Sequence, residues 1–196
     1  MRLIVSCFIV LCFIINSSFK VDDKIKSIID RDSEVQKSPA DTFPVPVRKN
    51  MIFYVQRNHN INTIVYDLNF NADSTLNEEE PVHAHWIRYA DHGEDVELSY
   101  LQKHYAYGIH AKLIDREKKT YKISFAAYNK RDILLKRSTI DNKYHAYMSI
   151  SGKLSLLTRV YIHIEGGTFW FPHVKYLDLK GKEISSNNSI TERFVP

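Results

Sequence analysis

Beyond residue 45 the apolar positions recur with a period of two rather than the 3.6 of a helix. The segments MIFYVQR, NTIVYDLNF, VHAHWIRY, TYKISFAAY, RDILLKR, KYHAYMSIS, LTRVYIHIE and HVKYLDL are short and rich in β-branched and aromatic residues, with turn-forming residues between them. Side chains two apart point to the same side of a strand. Tyr121, Ile123, Phe125 and Ala127 therefore share one face, and Val160, Ile162 and Ile164 share another. NHNIN and SGK (residues 151–153) read as tight connections. About eight to nine closely spaced strands with short links predict an all-β, mainly antiparallel sandwich or barrel. One short helical insertion is expected near Asp95, because Leu98, Leu101 and Tyr105 fall on one helical face.

The N-terminus follows a different pattern. Arg2 precedes an uncharged, largely apolar run over residues 3–15, interrupted by Ser6 and followed by Asn16, Ser17 and Ser18. That run is short for a membrane span, and the small residues after it suit a cleavage site, so residues 1–18 read as a secretory signal peptide. A secreted or periplasmic location follows, with no membrane span once the signal is removed and membrane anchoring if it is retained. Residues 19–44 form a lead-in, flexible or briefly helical. Val21, Ile25, Ile28 and Ile29 share a helical face, but the segment is charged and ends in the proline-rich SPADTFPVPV. Residues 45–196 are then a single β-rich domain.

Composition narrows the chemistry. Both cysteines, Cys7 and Cys12, lie within the signal, so the exported chain has no thiol nucleophile, thiolate ligand or disulfide. The net charge is +4, and loss of Arg2 with the signal leaves +3. Lysine and arginine are scattered, as at Lys130, Arg131, Lys136 and Arg137, with no stripe suited to a phosphodiester backbone, and no nucleic-acid partner is expected. Nucleophile elbows, phosphate-binding loops, dinucleotide glycine patterns and zinc-binding His-Glu-x-x-His helices are all missing from the sequence.

Three candidate sites remain. His83 and His85, in PVHAHWIRY, lie two apart in an extended segment and point the same way. With His163 and Glu165 from another strand they form a candidate site for zinc or another divalent metal, with Glu165 as general base of a hydrolase. Against this, a chain with nine histidines contains such a pair by coincidence. Phe169, Trp170 and Phe171 follow a Gly-Gly turn and precede a proline, an arrangement suited to an interaction patch. The acidic stretches NADSTLNEEEP and ADHGEDVE flank the two-histidine strand, but neither has calcium-loop spacing.

FYVQRNHNINTIVYDLN, PVHAHWIRY, AYGIHAKL, VKYLDLKGKEI and the closing ERFVP together resemble a secreted bacterial family known as domain of unknown function 4833. Gln56, Arg57, Asn58, Tyr66, Pro81, His83, Trp86, Ala106, Tyr107 and Gly108 carry the resemblance. It implies an exported domain running from about residue 45 to the end, and no particular chemistry. It also implies a histidine at position 83 but not at 85.

The reading that best accommodates these features is a non-catalytic, cofactor-free ligand-binding module. Its expected pocket is formed by Gln56, Arg57, His83 and Tyr107, with Arg57 attracting an anionic or polar group and tyrosines supplying apolar walls. The partner would be a small ligand or an envelope component. The alternatives are the metal-dependent hydrolase and a structural envelope module using the Phe169, Trp170 and Phe171 patch.

Overall fold

The computed structural model describes residues 42–168 and 172–196. The signal-like segment, most of the lead-in and the Phe169, Trp170 and Phe171 patch lie outside the described residues. Among the described residues there are eleven strands, one α-helix and a 3-10 turn over Tyr89–Asp91. In chain order the strands and the α-helix are β1 (Met51–Arg57), β2 (Asn60–Leu68), β3 (Val82–Arg88), β4 (Glu94–Glu97), α1 (Tyr100–Tyr105), β5 (Ile109–Asp115) and β6 (Thr120–Phe125). They continue with β7 (Tyr128–Arg137), β8 (Tyr144–Ile150), β9 (Lys153–Gly167), β10 (Pro172–Glu183) and β11 (Ser189–Phe194).

All eleven belong to one sheet, ordered β4-β3-β2-β1-β9-β8-β7-β6-β5, with β10 running along β9 and carrying β11. The expected all-β class holds, and the sheet curls into a half-barrel instead of splitting into a sandwich. Phe53 and Tyr66, on β1 and β2, stack at 4.4 Å between ring centroids. Phe125 of β6 meets both edge-on, at 5.8 and 5.6 Å, although β6 is distant in strand order. Only a strongly curled sheet brings these rings together. Around them Val55, Ile64, Trp86, Tyr121, Ile123, Ile133, Leu135, Met148, Ile150, Leu157, Val160 and Leu179 complete the core.

Sequence periodicity did not single out β4 or β11. β4 reads EDVE and β11 reads SITERF, too polar to show alternation, and each is held by pairing to a stronger neighbour. The helix also starts later than Asp95. Ser99 caps it: its hydroxyl accepts the Gln102 N–H, and the Gln102 side chain accepts the Ser99 N–H. Leu98 is buried just before the helix, whereas Leu101 and Tyr105 are exposed, so α1 does not bury the expected apolar face. Trp86 is buried core, as its strand pattern implies, but β3 lies next to the edge strand β4 rather than at the centre.

The helix spans the open side of the curl, between β4 and β5, and its exit is tight. A Cβ on Gly108 would collide with the Lys103 carbonyl oxygen. Backbone cannot yield there as the end of a flexible side chain can. Gly108→Ala is therefore expected to destabilise the fold by about 3 kcal/mol, measured by urea denaturation, with fraying centred on α1 and the start of β5.

Candidate functional site

Strand parity separates the predicted pocket residues. Phe53 and Val55 face the core and Gln56 points outward, while Arg57, beyond a register irregularity at the end of β1, lies on the core side against Tyr107 and Trp86. On β3, Val82, Ala84 and Trp86 face inward and His83 and His85 outward. The structure brings Arg57 and Tyr107 together and leaves Gln56 and His83 on the opposite face. Gln56 is buried there, where its Nε2 donates to the Pro44 carbonyl at 2.7 Å and to Thr63 Oγ1 at 3.0 Å. Its role is to hold the lead-in against the sheet.

The outward cluster is polar and partly sealed. His83 and His85 stack at 5.1 Å, and His83 Nε2 lies 3.0 Å from Glu97 Oε2. His85 is buried, with neither ring nitrogen hydrogen-bonded. Its Nε2 lies 3.9 Å from Asp67 Oδ2 and 3.8 Å from Asp95 Oδ1. Arg48 spans the same two carboxylates, donating to Asp67 at 2.9 Å and to Asp95 at 2.7 and 2.9 Å. These hydrogen bonds, foremost that to Asp95, raise the Arg48 pKa. Desolvation lowers the His85 pKa, opposed by Asp67 and reinforced by Arg48. Sequence reasoning missed Arg48, Asp67 and Asp95 because their meeting depends on register and on the path of the lead-in.

His163 and Glu165 do not join this cluster. His163 stacks on Tyr176 at 4.5 Å, and Glu165 pairs with Lys175 at 2.5 Å, both on the β9–β10 side of the sheet. Among the described residues, no group of three or more carboxylates, histidines or cysteines is placed to hold a metal ion. No described helix is long and apolar enough to cross a membrane.

On the core side, Arg57 sits at the mouth of a cleft of about 430 Å³ lined by the β1–β2 hairpin, β3 and the start of α1. One Arg57 Nη1–H donates to the Tyr107 hydroxyl at 3.0 Å, and the guanidinium lies 5.7 Å from the centre of the Trp86 ring. Trp86 meets Tyr107 edge-on at 5.6 Å. Tyr66 donates its hydroxyl hydrogen to the Tyr107 carbonyl at 2.8 Å, which fixes the segment bearing Tyr107. Burial raises the Tyr107 pKa, partly offset by Arg57. Among the described residues no carboxylate pairs with Arg57.

Residues 53–193 match the family model "Domain of unknown function (DUF4833)". The chain belongs to the DUF4833 family. The match runs from β1 into β11, so the DUF4833 domain contains the cleft, the polar cluster and the curled sheet, while Arg48 and Pro44 precede it. No curated protein and no solved structure matches the chain.

The polar cluster of this DUF4833 chain gives a pH dependence of known sign. A histidine whose pKa is lowered by folding contributes stability above its ordinary value, about 6.5, that is lost as pH falls. Unfolding free energy of the wild type is expected to drop between pH 7.5 and 5, by at most about 1.4 kcal/mol per pH unit from this group. His85→Gln, which stays neutral, should flatten that segment of the profile in urea denaturation. Parallel profiles for the two proteins would remove His85 as the cause.

Proposed function

We propose that this chain is an exported, non-catalytic binding module that holds a small anionic ligand against Arg57 in the cleft beside Tyr107 and Trp86. The observation that carries this reading is the state of Arg57. It is half-buried, stacked and oriented, yet its described partner is a neutral phenol and not a carboxylate. A guanidinium taken partly out of water gains most from a charged, hydrogen-bonding partner, and its planar fork suits an oxyanion. The cleft volume of about 430 Å³ falls within the range of about 300–1,000 Å³ typical of small-ligand sites. Trp86 provides an aromatic wall of the cleft, and Tyr107, packed behind it, holds the guanidinium in place.

Export rests on the N-terminal pattern of one basic residue, an apolar run and small residues. No cofactor enters this reading, because binding needs only the donors that the cleft supplies.

Titration calorimetry with a panel of small carboxylates and phosphate esters tests the reading. Binding to at least one anion is expected, and Arg57→Ala should weaken it by about 10- to 100-fold, the range for a hydrogen bond to a charged group. Tyr107→Phe should cause a smaller loss by releasing the guanidinium. Absence of anion binding across the panel, or affinity unchanged in Arg57→Ala, would overturn the assignment.

A further inference from the structure

Resting on the anion-binding reading, we infer that the cleft selects a tetrahedral oxyanion group over a planar carboxylate. The basis is the hydrogen-bonding state of its three amide side chains. Asn60 Oδ1 accepts the Asn62 backbone N–H at 2.9 Å. Asn62 Oδ1 accepts the Ala90 backbone N–H at 3.0 Å. Gln102 Oε1 accepts the Ser99 N–H at 3.0 Å and the Trp86 indole N–H at 3.3 Å. Backbone and indole N–H groups only donate, so the atom facing each of them must be the amide oxygen. Every amide lining the cleft has therefore committed its acceptor to the protein. What remains is the NH2 end of each, and among the described residues none of these ends has a partner.

Two carboxylates also line the cleft, each with one described contact: Asp91 faces Arg88 at 3.5 Å, and Glu97 reaches His83 at 3.0 Å. The uncommitted donors of the lining include the three amide NH2 ends and the remaining N–H groups of Arg57.

The donors also come from more than one side. Arg57, Asn60 and Asn62 belong to the β1–β2 hairpin, where Arg57 and Asn60 are register partners. Gln102 lies on α1 across the cleft. A carboxylate engaged by the Arg57 fork spends both oxygens in one plane. Donors outside that plane call for further oxygens, which a phosphate or sulfate group has and a carboxylate lacks.

Conversion of an amide to its acid tests this cleanly. Asn62→Asp and Gln102→Glu each keep the oxygen that the fold uses and replace only the NH2 end with a negative oxygen. Titration calorimetry on the full chain would compare phenyl phosphate, phenyl sulfate and benzoate, probes that share an aromatic ring. Phenyl phosphate or phenyl sulfate is expected to bind about tenfold or more tighter than benzoate. Each acid variant should lose about tenfold or more for that probe while its thermal midpoint stays within a few degrees of wild type. The ratio of the two tetrahedral probes separates a phosphate from a sulfate source. Benzoate binding as tightly as both, or acid variants with unchanged affinity, would overturn this inference while leaving an Arg57-dependent anion site standing. No binding of any probe, in wild type and Arg57→Ala alike, would instead overturn the anion-binding reading itself. Should Asn62→Asp fail to fold, Gln102→Glu, on a different element, decides the question.

Discussion

The parallel pairing of β1 with β9 holds the two halves of this sheet together. Tyr54, Val55, Gln56 and Arg57 lie in register with Arg159, Val160, Tyr161 and Ile162. On one side of this joint, β1 to β4 form an antiparallel run; on the other, β5 to β11 form a second. Every other pairing is between antiparallel neighbours that are consecutive in the chain. Asn58 extends the joint past the end of β1, donating to the Ile164 carbonyl at 2.8 Å and accepting the Ile164 N–H at 2.7 Å. A side-chain amide there reproduces the two bonds of a peptide group, so the hairpin tip is anchored where Arg57 must be held still.

The joint sets the curl, and the curl sets the cleft. With β1 beside β9, the core faces of both runs turn inward, and Phe125 reaches the Phe53–Tyr66 stack. The strand order then ends in two edges, β4 and β5, which α1 connects across the open side. Tyr107 leaves that helix directly over Trp86 and Arg57, with Gly108 allowing the close backbone approach. The cleft therefore forms where the sheet fails to close, a position at which polar side chains can end inside the fold while remaining open to solvent.

The two polar sites differ in which groups the protein leaves without a partner. On the outer face, Arg48 pairs with Asp67 and Asp95, while both ring nitrogens of the buried His85 and Asp67 Oδ1 have no hydrogen-bond partner. This cluster orders the lead-in against the sheet and titrates with it. In the cleft, each amide oxygen is engaged by the protein and each amide NH2 end is left without a described partner.

Much of this was legible in the chain itself. Period-two alternation placed most of the strands and much of the core, because a side chain's face depends only on its own position along the strand. The same rule already separates Gln56 from Arg57 and puts Asn60 and Asn62 on the Arg57 face across a two-residue connection. Sequence reasoning grouped Gln56 and His83 with Arg57 by proximity in the chain and in the family's segments, and parity overrules that grouping. Polar edge strands such as β4 and β11 stayed hidden because their pairing comes from a neighbour and not from their own pattern. Arg48 meeting two carboxylates, Gln102 lining the same cleft as Arg57 and the parallel β1–β9 joint were decided by tertiary structure alone. Local sequence determines which way each residue points, whereas what it points at depends on contacts between segments far apart in the chain, whose register no local pattern encodes.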